Sequence, residues 1–306
     1  MTVHAHIIQE SPVQLWGLSN RRRLQRTLKK MNVVSWIDAP GAAGSGDSIL
    51  FLRGDYLYDE RLLRNLAQKP GTVLQTTAAG GSTSVAAHVA ALDAAVIRDF
   101  LTGSTSTALP PSLSFATPQS LGATYHKELR KIDPPYLLPI TEENKEKLEK
   151  RLFSGSYKGV TDLVTKWIWP WPAQLATHFC VRKGITPNQV TSLSLVLVLV
   201  AALLFYNGFF ALGLAAAWVM TFLDTVDGKL ARVTVNWSTF GHLFDHAIDL
   251  ISPPFWYLLW GWGLDSWHPG IPLSLNAVFW LIFVGYIAGR LAEGIFKEFL
   301  EPSGIF

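Results

Sequence analysis

Four aspartates stand at fixed intervals in the most apolar part of this chain, and few folds can accommodate them. Residues 224–249 read DTVDGKLARVTVNWSTFGHLFDHAID. Asp224, Asp227, Gly228 and Ala231 fall at i, i+3, i+4 and i+7, which is one stripe of a helix. Gly241, Asp245 and Asp249 fall at i, i+4 and i+8, one stripe of a second helix. If the two helices pack side by side, four carboxylates converge. Two like charges about 4 Å apart repel by roughly 4 kcal/mol at an effective dielectric near 20, and four repel far more. Such a cluster needs a cation, and an all-oxygen donor set suits a hard divalent ion such as Mg²⁺ or Mn²⁺.

The surroundings point to a membrane. The chain has 306 residues, of which 49% are hydrophobic and 16% charged. Its mean hydropathy is +0.23, too apolar for a typical soluble protein. Most of the apolar residues lie beyond about residue 190. Residues 190–206 and 209–223 are apolar runs, and Asn207–Gly208 between them predicts a tight turn joining two helices. A third helix is predicted from a cap at Ser238 or Thr239, through Ser252, Pro253 and Pro254, to about residue 264. A fourth covers about 275–300. Ahead of these, residues 158–183 set Trp167, Trp169 and Trp171 beside Lys166, Arg182 and Lys183. Indoles next to cations suit an amphipathic helix lying on the bilayer, interrupted near Pro170 and Pro172. Ten of the twelve tryptophans lie beyond residue 166, which supports a membrane-embedded second half.

The full spacing is D-x2-D-G-x2-A-R-x8-G-x3-D-x3-D, with no position missing. This pattern closely resembles the signature of the CDP-alcohol phosphotransferases, less specifically over about 158–300. The resemblance implies an α-helical membrane bundle, usually of six helices, at least four of which are predicted here. The chain is then either a fragment or unusually short. It also implies transfer of a substituted phosphate from a CDP-alcohol to an acceptor alcohol, with release of CMP. Asp224, Asp227, Asp245 and Asp249 would be the metal carboxylates, with two ions expected and Asp249 taking the acceptor's hydroxyl proton. Gly228 and Ala231 are small where a nucleotide approaches, Gly241 either serves the same purpose or lets the two helices pack closely, and Arg232 offers a permanent cation for phosphate. Asn188, in the TPN that opens the first membrane helix, is a candidate for capping that helix or for holding nucleotide. His242 and His246 lie one position round from the acids and read as packing or helix-end groups. Arg290, a charge inside an apolar helix, is a functional candidate, with Glu293 as a possible partner.

Residues 1–135 read as a small soluble α/β domain, from alternating strand and helix patterns. Strands are predicted at 3–8, 33–37, 49–52, 72–76 and 85–89. Helices are predicted from Ser19 to Lys30, at 59–68 and at 91–101, with loops at 80–84 and 103–114. The segments GLSNRRRLQRTLKKMNV and RGDYLYDERLL resemble parts of sugar-phosphate nucleotidyltransferases, Asp55 standing where those enzymes keep a metal-binding aspartate. Where they have a Gly-rich phosphate loop, this chain has QESPVQLWGLSN, with one glycine and the bulky Leu15 and Trp16. That departure predicts a retained fold without nucleotidyl transfer, and a surface cluster at Arg21, Arg22 and Arg23. Residues 136–157 read as a linker, with prolines and then a charged helix whose exposed face is solvated.

The net charge of +3 and pI near 8.9 fit an anionic membrane surface or phosphate ligands. No nucleic-acid motif accompanies them. The single cysteine, Cys180, excludes an intramolecular disulfide, and no signal peptide is read in the first thirty residues. The expected partners are a CDP-alcohol such as CDP-diacylglycerol or a soluble CDP-polyol, an acceptor alcohol, membrane lipids and a second copy in a homodimer. Two alternatives use the same residues: a bifunctional enzyme whose soluble domain makes the CDP-alcohol, and a membrane-anchored binding protein with an inactive site. A divalent-cation transporter fits acids in a membrane but leaves the spaced Gly, Ala and Arg unexplained.

Charge asymmetry sets an orientation in the inner or plasma membrane. The turn at Asn207–Gly208 and residues 265–274 contain no Lys or Arg, whereas the other end holds Arg182, Lys183, Lys229, Arg232 and Lys297. The positive-inside rule puts that end, the aspartates and the α/β domain in the cytoplasm. A cysteine placed at Ser274 should therefore be labelled from outside intact cells, and one at Ser238 should not. The reverse pattern would put the aspartates outside.

Overall fold

The computed structural model describes residues 2–31, 35–78, 81–103, 109–126, 130–157, 162–236, 239–267 and 274–296. The chain divides into two units, Met1–Lys183 with Lys229–Asn236, and Gly184–Gly228 with Trp237–Phe306. In chain order the first unit begins β1 (Val3–Ile8), β2 (Gln14–Leu15), β3 (Leu18–Ser19), α1 (Asn20–Met31), β4 (Ser35–Trp36), β5 (Ser48–Arg53) and β6 (Tyr56–Tyr58). It continues α2 (Glu60–Ala67), β7 (Thr72–Ala78), β8 (Gly81–Ala90), α3 (Ala94–Thr102), β9 (Ser114–Ala116) and α4 (Pro118–Leu121). Two short strands, β10 (Tyr125–His126) and β11 (Lys131–Ile132), precede β12 (Leu137–Pro139), α5 (Lys145–Gly155) and α6 (Pro170–Lys183).

Strand β5 explains the layering of this unit. Its first five residues, Ser-Ile-Leu-Phe-Leu, are all buried, as expected of a strand covered on both faces. Leu50 and Leu52 join Ala5, Ile7 and the inner faces of α1 and α2 in one core. Ile49 and Phe51 point the other way, into a second core with Val73, Val89 and Ile97 and Leu101 of α3. The sheet order is β4-β1-β5-β8-β7-β9. Strands β4, β1 and β5 are parallel, β8 is antiparallel to both β5 and β7, and β9 is parallel to β7. The α/β reading thus holds, with one correction. The expected loop at 80–84 is the start of β8 from Gly81 onward, because Gln75 across the hairpin donates to Ser84 Oγ and accepts from Ser82 Oγ, each at 3.0 Å. Gly80 lies outside the described residues, as do residues 104–108 of the other expected loop.

The stretch read as a linker packs into this unit. β12 pairs antiparallel with β6, and Leu148 of α5 joins Val13, Leu15 and Leu57 in a small core. The expected surface helix at 158–183 is a π-type turn at Val164–Ile168 followed by α6, which starts at Pro170 rather than breaking there. A proline fits the first turn of a helix, where its missing N–H has no partner to lose. Residues 158–161 lie outside the described residues.

The second unit holds α7 (Pro187–Tyr206), α8 (Phe210–Val233), whose last turn belongs to the first unit, α9 (Thr239–Trp267) and α10 (Leu275–Ile295). Among the described residues, α7, α8 and Ala277–Ile295 within α10 are long and apolar enough to cross a membrane. α9 is as long, but its Pro, Gly, Trp and acidic residues keep it out of that group. Phe205 near the end of α7 stacks on Trp260 of α9 at 4.9 Å, and Trp256 Nε1 donates to Val198 O at 3.0 Å. Gly263 is required there, because a Cβ would overlap the Phe205 carbonyl. The third helix's cap at Ser238 and the residues at 268–273 lie outside the described residues.

One buried imidazole gives the first unit a pH response. His88 on β8 is 2% exposed, with Nδ1 3.0 Å from Leu66 O and Nε2 2.8 Å from Ser48 Oγ. Burial holds this imidazole below its ordinary range, against the opposing pull of the Leu66 carbonyl. As pH falls through about 6.5 the unfolded chain takes up a proton there and the folded one does not. The stability from neutral His88 is complete above that pH and is lost as pH drops toward the folded value. Thermal unfolding of the full chain in detergent should show a lower midpoint at about pH 5.5 than at about pH 7. The slope should flatten in His88→Gln; an unchanged slope would remove His88 as its source.

Candidate functional site

The site residues are carried by α7, α8 and α9 in the second unit. α7 starts cleanly: Thr186 caps it in a reciprocal box with Gln189, and Pro187 occupies its first turn. This corrects one expectation, since the cap is Thr186 and not Asn188. Asn188 is exposed, and its carbonyl accepts from Ser192 Oγ at 2.8 Å.

One turn into α7, Thr191 is 4% exposed. Its hydroxyl donates to Asp227 Oδ2 at 2.5 Å, with Pro187 O also within 3.1 Å. Asp227 on α8 is itself only 4% exposed. A carboxylate removed from water needs donors or a cation, and a hydroxyl bonded to it is a short, charge-assisted contact. The Thr191 hydroxyl therefore fixes the rotamer of Asp227. Sequence reading passed over Thr191. The available signal was a threonine one turn beyond the TPN, on a helix expected to lie against the aspartates.

The remaining residues sit where their helices put them. Asp224 is half-buried, one turn before Asp227 and next to it on the same stripe of α8; Gly228 continues that stripe. Asp249 lies on α9, exposed, and Gly241 half-buried two turns earlier. Val198 of α7, Met220 of α8 and Ile248 of α9 share one apolar core. Met220 precedes Asp224 by one turn and Ile248 is the neighbour of Asp249. Asp245 is on α9, but its side chain and that of His242 lie outside the described residues. His246 is exposed. Among the described residues no group of three or more His, Cys, Asp or Glu stands assembled as a metal site. The chemistry of the donors nonetheless fits a hard ion: the stripes carry carboxylate oxygens, one of them fixed by a hydroxyl.

Ala231 and Arg232 lie on the last turn of α8, within the first unit. There Arg232 Nη1 donates to Ser156 O at 3.3 Å, Lys229 Nζ stands 3.1 Å from the centre of the Tyr157 ring, and Arg26 Nη1 donates to Thr234 O at 2.7 Å. Burial pushes the Tyr157 hydroxyl up to about 12. In α10, Arg290 donates to Glu293 Oε2 at 2.9 Å and to the Tyr286 hydroxyl at 3.2 Å.

The loop after β1 takes a form that sequence reading did not foresee. β2 and β3 make a tight hairpin with Trp16 and Gly17 at its tip, both at positive φ. Trp16 is 2% exposed, stacks on His178 of α6 at 3.9 Å, and donates its backbone N–H to Glu149 Oε1 and its indole N–H to Glu149 O. Asp55 is held by Arg53 through two bonds of 3.0 and 2.6 Å. The expected three-arginine surface cluster is corrected as well. Arg23 faces inward on α1, 5% exposed, donating to Leu15 O, and burial pulls its guanidinium down to about 10. Arg21 instead pairs with Glu10 and Asp38.

Among the described residues, three helices long and apolar enough to cross a membrane, one of them carrying Asp224 and Asp227, point to an integral membrane protein. Residues 184–295 match the profile of the CDP-alcohol phosphatidyltransferase family. The chain is 28% identical over 131 residues to cholinephosphotransferase 1 of Danio rerio, covering 38% of this chain and 32% of that protein. It is 45% identical over 71 residues to archaetidylinositol phosphate synthase of Pyrococcus horikoshii, covering 22% and 37%. It is 32% identical over 93 residues to phosphatidylinositol phosphate synthase of Mycobacteroides abscessus, covering 28% and 42%. The matches thus span about a third to two fifths of these relatives' lengths.

The Thr191 contact is testable by itself. Thr191→Val keeps the shape and removes the donor, and should destabilise the detergent-solubilised chain by about 1.5–3 kcal/mol, the range for hydrogen bonds to charged groups. Thr191→Ser should restore most of it. A valine variant as stable as the native chain would mean that Asp227 does not depend on this hydroxyl.

Proposed function

We propose that this protein transfers a substituted phosphate group from a CDP-alcohol to an acceptor alcohol and releases CMP, at the cytoplasmic side of a membrane. The observation that carries this reading is the uninterrupted eight-position motif inside the segment that matches the family. The three relatives named above are a cholinephosphotransferase and two synthases of inositol-phosphate lipids, all consistent with this class of donor.

The roles follow from residue chemistry. Asp224, Asp227 and Asp245 would hold Mg²⁺ or Mn²⁺, with Asp249 a further carboxylate of the set. Bound there, such ions supply positive charge against the diphosphate and the departing CMP. Asp227 contributes a carboxylate whose orientation Thr191 sets. Gly228, Ala231 and Gly241 keep side chains out of the way of a nucleotide. Asp249 accepts the proton of the acceptor hydroxyl, because an alcohol is a poor nucleophile until that proton has somewhere to go. Of the donors, neither a lipid such as CDP-diacylglycerol nor a soluble CDP-polyol is favoured by these residues. The first unit, in this reading, performs no nucleotidyl transfer: Trp16 fills the place of a phosphate loop, and Arg53 occupies Asp55. A homodimer in the lipid bilayer is the proposed working form.

Purified protein with Mg²⁺ should release CMP from at least one member of a panel of CDP-alcohols and acceptors. Asp249→Asn should lower turnover by about 10²–10⁴-fold, the usual contribution of a positioned base, with CDP-alcohol binding largely retained. Asp224→Asn should weaken metal and nucleotide binding together. Near-normal turnover in Asp249→Asn would end the assignment of the base.

A further inference from the structure

Two adjacent prolines, Pro253 and Pro254, lie inside α9. A proline has no N–H, so in an α-helix the carbonyl four residues earlier loses its ordinary donor. Pro253 removes the donor to Asp249 O, and Pro254 removes the donor to Leu250 O. These two carbonyls belong to the residue read above as the base and to its neighbour. A group on a neighbouring helix can supply the missing donor.

α10 supplies that group. The Tyr286 hydroxyl donates to Leu250 O at 2.9 Å, with Asp249 O 3.4 Å away, so that it serves the two carbonyls whose helix donors the prolines remove. The same hydroxyl oxygen accepts from Arg290 Nε at 3.2 Å, one helical turn further along α10. Arg290 is held in turn by Glu293 at 2.9 Å. A hydroxyl has one proton to give. With a cation bonded to its oxygen, that proton is directed toward α9, and the bond it makes is strengthened. The arrangement also gives a reason for a charged residue on an otherwise apolar helix: Arg290 orients a tyrosine.

We propose that Tyr286 is a positioning residue for Asp249: its hydroxyl replaces the amide donors that Pro253 and Pro254 lack and fixes the α9 backbone at the base, with Arg290 and Glu293 orienting that hydroxyl. The proposal rests on the reading of Asp249 as the base. It makes no use of Tyr286 as a group that touches substrate.

A double-mutant cycle in the full chain, reconstituted in lipid nanodiscs, separates this role from a general loss of packing. Tyr286→Phe removes only the hydroxyl and should lower kcat for CMP release by about 5- to 30-fold, as expected for bonds worth about one to two kcal/mol, with KM for the CDP-alcohol little changed. In a Pro253→Ala, Pro254→Ala background the amide donors return, and Tyr286→Phe should then change kcat by less than about threefold. Pro254→Ala alone, which restores the donor to Leu250 O, serves if the double replacement does not fold. Arg290→Gln should shift kcat in the same direction as Tyr286→Phe, by less. An equal effect of Tyr286→Phe in both backgrounds, or a loss confined to KM, would overturn the proposal. Absence of CMP release from the native chain would instead reject the proposed function. In that event the same cycle read by thermal unfolding midpoints still tests the bond: coupling between Tyr286 and the prolines supports it, and additivity refutes it.

Discussion

Everything in the second unit has to accommodate carboxylates within helices that are otherwise apolar. A charge taken out of water is tolerated only where donors, counter-charge or a metal replace its hydration. Asp227, almost wholly buried, shows how this chain does so: α7 is set against α8 so that the Thr191 hydroxyl meets the carboxylate. That requirement fixes how α7 starts, through the Thr186 box and Pro187, because a helix that frayed at its first turn would not hold Thr191 in place. The core of Val198, Met220 and Ile248 then holds three helices within a turn or so of the acids.

The same logic of polar satisfaction recurs in α9. Its prolines lack the N–H groups that would bond two carbonyls within the helix, and α10 brings a hydroxyl to them. Arg290, on sequence grounds a functional candidate, is bonded to Tyr286 and Glu293. Glu293, Arg290 and Tyr286 form one such series, ending at the α9 backbone beside Asp249.

The first unit solves a different problem. Its sheet buries residues on both faces, and Trp16, at the tip of a hairpin, is packed against Phe153 and His178. Both its ring and backbone N–H groups are bonded to Glu149. The bulky residues noticed in the sequence thus have a structural role, and α5, read as a solvated charged helix, receives them.

Much was legible from the sequence because it depends on local periodicity or on spacing along one helix. The α/β alternation, the apolar spans, the turn at Asn207–Gly208 and the stripes holding Asp224, Asp227 and Asp249 are of this kind: the side-chain direction follows from the helical repeat alone. The contacts that decide how those residues behave are not local. Thr191 is 36 residues from Asp227, Tyr286 is 36 from Leu250, and Trp16 is 133 from Glu149. Nothing in a short window marks such partners, and an ordinary threonine or tyrosine in an apolar helix looks like packing. Burial of Arg23 was hidden for the same reason, since a run of three arginines reads as surface until the helix it sits on is docked. The sequence by itself determined which residues share a face. Tertiary structure decided which faces meet, because the energy of a hydrogen bond to a buried carboxylate or an orphaned carbonyl exists only once packing has excluded water.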